Sequence, residues 1–403
     1  MSFPLRRLAR RARNNSIASR CQQDAATQAR LRFEPWYLHL DRQRGAHVYK
    51  DGQDLIMLCS NDYLGLTDHP KVQAAAQEAI RTWGTSTTGA RMANGSRSYH
   101  RELEDKLAAF LNVEACQVLS AGYLACQTSI ATFAQKGDLI LVDRNVHSSL
   151  WAGINQTPAR VERFAHNNPR DLEDILRTED KQAPKLLVIE GIYSMEGHVA
   201  RLREMLDLSA EHNCFVVLDD AHGFGVLGER GQGTVNHCGC EGEVDLVVGS
   251  LSKSLASTGG FLAGDKALIE YLRTHSKQTI FSAALSPSQA AAASTSLDVL
   301  INEPEHRARL WENTRYYLKG LRELGIDTWG SETPAVPLVV GDRERTYRIW
   351  KQLLKDGVFT VMAIAPAVPP GKDLLRTAVS ARLSRQDLDK ALEAIGRAFK
   401  KLA

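Results

Sequence analysis

Short apolar runs alternate along this chain with longer stretches in which apolar residues recur every three or four positions. The runs at 139–142, 186–189, 215–218 and 246–248 have strand length and no polar interruption, the pattern of strands buried on both faces. Between the runs, stretches such as 99–111 and 201–212 carry the helical period. Strands separated by helices predict parallel pairing through right-handed crossovers. This pattern holds from about Ile56 to about Leu300 and then changes. A long helix is expected from about 304 to 324, with strand-like pieces at 335–339 and 358–362. A last helix carries Leu388, Leu392, Ile395, Phe399 and Leu402 on one stripe. Pro366, Pro369, Pro370 and Gly371 make a rigid turn ahead of it. The expected architecture is a basic N-terminal arm over 1–55, a large α/β domain over 56–300 and a smaller α+β domain over 301–403. The large domain has a mostly parallel central sheet between layers of helices.

Composition narrows the function classes. With 403 residues, 43% of them apolar, the chain is long enough for a large core and a second domain. A formal net charge of +3 gives no field of one sign over the whole molecule, which argues against a nucleic-acid partner. Seven cysteines at scattered spacings, with no CxxC, suit neither a disulfide framework nor a zinc site, so no metal is expected and a reducing, cytoplasmic setting is. Cys238 and Cys240 flank one glycine and are read as loop residues. No apolar run reaches the ~18 residues that span a bilayer. The first twenty residues are unusual: Arg6, Arg7, Arg10, Arg11, Arg13 and Arg20 occur with no acid before Asp24. An exposed basic arm is the plain reading, and peripheral contact with an anionic membrane is the other.

Candidate chemistry gathers at the ends of the apolar runs. Lys253 follows the run that ends at Val248, amid small polar residues. Partial desolvation there favours a neutral amine able to form a Schiff base. Asp219 ends another run, one crossover and one strand upstream. A carboxylate so placed can hold a protonated pyridine nitrogen, although turns and helix caps use aspartate too. Ser120-Ala121-Gly122-Tyr123 lies between an apolar strand and an amphipathic helix, where a glycine lets backbone N–H groups approach a phosphate. His147 follows the run 139–142 and could stack on a planar ring. The stretch 281–287 offers hydroxyls ahead of a helix, which is also what an ordinary N-cap looks like.

The chain resembles the α-oxoamine synthases among fold-type I pyridoxal-phosphate enzymes, whose bacterial serine palmitoyltransferase-like branch is the closest in look. The resemblance rests on Ser60-Asn61-Asp62-Tyr63-Leu64-Gly65-Leu66, the segment 84–91, Asn94-Gly95-Ser96 with His100 and Leu103-Glu104, the segment 190–197, the segment 225–233 and Ser252-Lys253-Ser254-Leu255, in that order. It implies pyridoxal 5'-phosphate as cofactor, with Lys253 as its Schiff-base lysine and as the base. It also implies that Asp219 pairs with the pyridine nitrogen, His222 with the ring hydroxyl, and that His147 stacks on the ring. Gly122, Tyr123 and Ser250 would hold the phosphate, Ser282 would reach it from the second subunit of a homodimer, and Ser194 would lie near the ring hydroxyl. Asn61 and Arg376 would grip the amino-acid carboxylate.

The implied reaction is a decarboxylative condensation of an amino acid, serine by the branch resemblance, with a long-chain acyl thioester on coenzyme A or a carrier protein. A related synthase using glycine or alanine and a short or medium acyl donor is the alternative. An aminotransferase and a non-catalytic partner subunit are readings from further off, and the presence of Lys253, Asp219 and His147 together weighs against the last. One departure stands out. Many bacterial relatives have an arginine where this chain has Ile364, so a second carboxylate-binding arginine is missing from that turn.

Overall fold

The structure is a computed structural model that describes residues 16–31 and 36–402. The arginines of the arm from Arg6 to Arg13 lie outside the described residues; Arg20 is exposed on the helix Ser16–Leu31. That helix belongs to an N-terminal unit that runs to Gln43 and includes Val48–Asp54, whereas Arg44–His47 and Leu55–Ala403 form the main unit. Among the described residues no helix is long and apolar enough to cross a membrane.

The main unit is built on a seven-stranded sheet. Its strands are β1 (Ala115–Leu119), β2 (Leu139–Asp143), β3 (Arg160–Phe164), β4 (Lys185–Glu190), β5 (Cys214–Asp219), β6 (Leu246–Ser250) and β7 (Gly260–Gly264), in the spatial order β1-β7-β6-β5-β4-β2-β3. The four apolar runs are the inner parts of β2, β4, β5 and β6, which pair in parallel, and β3 joins them on the far side. Every residue of β2, β4 and β6 is buried, as strands covered by helices on both faces must be. β7 runs against both β6 and β1, so the sheet is mixed at that edge.

This antiparallel return brings two loops together. Gly260 pairs with Leu119 on one side and Ser250 on the other. A Cβ on Gly260 would lie 2.6 Å from the Cα of Gly122. Only a strand without a side chain at this point lets the helix Gly122–Ala131 start so close to the end of β6. That helix differs from the sequence reading: it is not amphipathic, because Ala125, Cys126, Thr128, Ser129 and Ile130 bury most of its circumference.

A three-stranded antiparallel sheet forms near the C-terminus, with β8 (Ala335–Val339), β9 (Val361–Ala363) and β10 (Leu374–Ala378) in the order β8-β10-β9. The helices Glu305–Glu323, Arg343–Lys355 and Arg385–Lys401 accompany it, the last begun by a Ser384–Asp387 capping box. The single strand expected at 358–362 is two strands. Val358–Phe359 pairs in parallel with Ile56 and Met57, while β9 pairs with β10. Five consecutive residues thus serve two sheets, with the change at Thr360, a β-branched residue that does not by itself end a strand.

Gly260→Ala is expected to lower the melting temperature of the protein, because overpacking a filled position costs about 1–3 kcal/mol. A melting curve identical to wild type would show that the helix start can move away from β7.

Candidate active site

The parallel strands point their carboxyl ends at one edge of the sheet, where doubly wound folds place their ligands. β4 ends in Glu190, β5 in Asp219 and β6 in Ser250. Glu190 and Asp219 are directly paired across neighbouring strands. A cavity of about 410 Å³, within the usual range for small-molecule sites, lies over this edge. Its lining includes Asn61, Gly122, Tyr123, His147, Ser194, Asp219, His222, Ser250, Lys253 and Arg376. The structure therefore brings together ten of the eleven residues expected from the sequence. Ser282 is the one left out: it borders a separate crevice with Gln278 and Thr279.

Lys253 lies three residues beyond β6, in a loop pinned by Leu251 N–H to Gly259 O at 3.0 Å and by Ser254 Oγ to Phe224 O at 2.9 Å. Ala256 takes a φ of 48°, in the region that favours glycine, so the turn behind the lysine is strained. Enclosure by the protein lowers the pKa of the Lys253 amine; Asp219 and Cys126 oppose that shift and Arg376 adds to it. A lysine held towards its neutral form is the nucleophile that Schiff-base chemistry requires.

Asp219 is 5% exposed. Its Oδ1 accepts the Ala221 N–H at 3.0 Å and its Oδ2 accepts the Cys126 thiol at 3.2 Å. Burial, with Asp219 next, pushes the Glu190 carboxyl well above the ordinary range, against the N–H groups of His147 and Ser194 that Glu190 accepts. His147 caps the helix Ser148–Ile154, and its Nδ1 lies 2.7 Å from Ser149 Oγ while the ring stays open to the cavity. Partial enclosure lowers the His147 pKa, Asp219 opposes the shift and Lys253 adds to it. His222 is buried, with Nδ1 2.7 Å from the Tyr63 hydroxyl. Burial pushes its pKa well down, and Lys253 and Arg376 add to that. Both rings are thereby favoured as neutral imidazoles.

The helix Gly122–Ala131, whose first residues line the same cavity, starts without a side-chain cap, so its first N–H groups can meet an anion. A Cβ on Gly122 would lie 3.2 Å from Ser250 Oγ, and Ser250 Oγ is 2.8 Å from Ser252 Oγ. An open helix start flanked by two hydroxyls suits a phosphate. With Asp219, His147 and Lys253 lining the same cavity, the donor set fits pyridoxal phosphate.

Arg376, from the central strand β10, is 8% exposed. Its Nη1 and Nη2 both reach Asn61 Oδ1 at 3.1 Å, and its Nε donates to Ser194 O at 2.8 Å. Among the described residues it has no ion pair, so a buried guanidinium faces the cavity with neutral partners only. Cys126, Ser149, Glu190, Met195, Ser252 and Val361 also line the cavity and were not singled out as site residues from the sequence. Glu190 was within reach of the rule that found Asp219, since both are acids ending apolar runs. Cys126 carried no such sign: it sits one helical turn after Gly122 inside a helix.

Other clusters compare poorly. A cleft of about 580 Å³ near Phe110 and Val247 has no lysine, arginine or histidine in its lining, and its buried Asp220 is already bonded to Thr234. His69 and His306 approach Glu303 Oε2 at 3.4 and 3.6 Å, but Lys71 Nζ holds the other oxygen at 2.6 Å. That group is an ion-pair knot joining the ends of three helices.

A mixed sheet with this strand order, a lysine beyond one strand and an acid at the end of its neighbour define a pyridoxal-phosphate enzyme of fold type I. Comparison with known proteins agrees. Residues 53–395 match the family model "Aminotransferase class I and II". The chain is 40% identical over 363 residues to 8-amino-7-oxononanoate synthase 1 of Bacillus subtilis, covering 90% of this chain and 93% of that protein. It is 37% identical over 365 residues to serine palmitoyltransferase of Sphingobacterium spiritivorum, covering 91% and 92%. The solved serine palmitoyltransferase from S. paucimobilis, with bound PLP–myriocin aldimine, superposes with a TM-score of 0.93 at 33% identity, over 96% of this chain and 99% of that one. The chain belongs to the class I and II aminotransferase family, and within it to the α-oxoamine synthases: it is a pyridoxal-phosphate-dependent acyltransferase.

The lowered Lys253 pKa has a measurable consequence in the cofactor-free protein. The unfolded chain binds a proton at Lys253 up to a pH near 10.4, whereas the folded chain gives it up earlier. Stability from this residue therefore rises with pH between the folded and unfolded values. Plotted against pH over that interval, the melting temperature of wild type relative to Lys253→Met should climb. A flat difference would mean that the lysine is not held towards its neutral form.

Proposed function

We propose that this cleft joins serine to a long-chain acyl thioester with loss of carbon dioxide. The observation that carries the reading is the buried, acid-free guanidinium of Arg376 in the same cavity as Lys253. A planar guanidinium matches a carboxylate by two parallel N–H bonds, and Asn61 supplies a further polar contact. The amino acid is thus held by its carboxylate with its Cα near Lys253. Pyridoxal phosphate, when bound, supplies an electron sink conjugated to that carbon. Asp219 would hold the positive charge of the pyridine nitrogen that makes the sink effective, and His147 would stack on the ring. Tyr63 fixes His222 for the ring hydroxyl, with Ser194 close by. The helix start at Gly122 and Tyr123, with Ser250, binds the phosphate. Lys253 takes the Cα proton, the carbon bonds to the acyl carbon, and the thiol leaves. The resulting β-keto acid loses carbon dioxide, and a proton returns to Cα.

The working division is an arm over 1–55, a cofactor-binding domain over 56–300 and a small domain over 301–403 that contributes Arg376. Ser282 lines a crevice other than the cavity of its own chain, which leaves it available to a second copy's phosphate, and the unit of function in this reading is a homodimer. Long-chain donors are favoured by Val361 and Met195 in the cavity lining and by the apolar Ile364 in the turn after β9. The 40% identity to an 8-amino-7-oxononanoate synthase favours a second reading, in which alanine or glycine meets a shorter acyl donor.

Two measurements check these assignments. Removing one partner of a desolvated charge pair costs about 3–5 kcal/mol. Arg376→Ala should therefore raise the amino-acid dissociation constant by roughly 10²–10³-fold or more. Arg376→Lys should recover only part of the loss, because an ammonium lacks the fork. Wild-type affinity in Arg376→Ala would remove the carboxylate assignment. For the acyl half, each buried methylene is worth about 0.8 kcal/mol. With serine, kcat/KM should climb steeply from C8 to C16 donors and exceed the values for glycine and alanine. A profile that falls with chain length, with alanine ahead of serine, would transfer the enzyme to the second reading.

A further inference from the structure

We infer that Cys126 is a positioning residue for Asp219, and through it for the protonation of the cofactor ring; the inference rests on the placement of pyridoxal phosphate in this cavity. The Cys126 thiol is 5% exposed, lines the cavity and donates to Asp219 Oδ2 at 3.2 Å. The other carboxylate oxygen is held by the Ala221 N–H. Both oxygens are therefore fixed in direction, one by backbone and one by a side chain. Behind the thiol, Ser149 also acts on it, and Ser149 Oγ is 2.7 Å from His147 Nδ1. One polar chain thus runs from the ring-face histidine to the carboxylate that meets the ring nitrogen.

The donor's chemistry matters. A thiol is a weak hydrogen-bond donor. It aims the carboxylate while drawing little charge from it, leaving most of that charge for a pyridine N–H. Burial and Asp219 hold the thiol pKa far above its ordinary value, so the group remains a donor across the working pH range. Asp219 in turn acts on Glu190 on the adjacent strand, on Asp220 beside it, on His147 and on Lys253. His222 and Arg376 line the same cavity. A substitution at Cys126 leaves all of these in place.

The test compares holoenzymes of wild type, Cys126→Ala and Cys126→Ser. The readout is the pH dependence of the bound cofactor's visible absorbance in the absence of any substrate. Losing a donor disfavours the charged carboxylate, so in Cys126→Ala the acid limb of that profile should move to higher pH by roughly a few tenths of a unit to one unit, below the scale of an ordinary hydrogen bond to a charged group because the donor is weak. Cys126→Ser, which keeps a donor, should return the limb to the wild-type position or below it. An acid limb in Cys126→Ala that coincides with wild type, with only the melting temperature lowered, would make the thiol a packing residue and overturn the inference. The titration uses no acyl donor and no amino acid, so an error in the substrate assignment leaves its outcome unchanged. A wild-type protein that binds the cofactor without a Lys253-dependent band would fail the cavity placement instead.

Discussion

Two carboxylates sit side by side at the carboxyl edge of the sheet, and the rest of the site is arranged around that fact. The register of β4 and β5 pairs Glu190 with Asp219 directly, and both are buried. Two like charges in such a place cannot both be retained cheaply. The structure resolves the conflict by asymmetry. Glu190 takes N–H donors from His147 and Ser194 yet is pushed towards its neutral form, while Asp219 shares its cavity with Lys253 and Arg376. A positive ring nitrogen beside Asp219 would complete the balance. Burial lowers Lys253 and both imidazoles, while Asp219 opposes the shift at Lys253 and His147, so nucleophile, imidazoles and carboxylate are balanced within one enclosed site.

Much of this could be read along the chain, for a definite reason. In a parallel sheet the strands are apolar throughout and each one's last residue faces the ligand edge. The ends of apolar runs are therefore the places to look for chemistry, and Asp219 and Lys253 were found there. Arg376 was found differently, through resemblance, because β10 belongs to another sheet and no local pattern marks its orientation. What escaped notice has physical causes too. The change of sheet falls at Thr360, a β-branched residue common inside strands, so the segment still reads as one strand. The helix after Gly122 is buried around most of its circumference, so Cys126, which lines the cavity, stands among other small buried residues with nothing to set it apart. The close approach of Gly260 to Gly122 is visible only once β7 is known to run backwards between β1 and β6.

Fold and reaction type are set more firmly than substrate. The lysine, the carboxylate and the uncapped helix start serve any amino acid bound through the cofactor. In the proposed reading, the choice among acyl donors falls to apolar lining residues such as Val361 and Met195. Relatives bearing two different names match this chain at 40% and 37% identity, so identity alone does not separate the readings.

The most direct measurement reduces the coloured holoenzyme with borohydride and maps the modified peptide by mass spectrometry. One pyridoxyl group per chain is expected, attached to Lys253, with loss of the visible band. A label on another lysine, or a band that vanishes with no covalent label on Lys253, would contradict the placement on which everything else about this site depends.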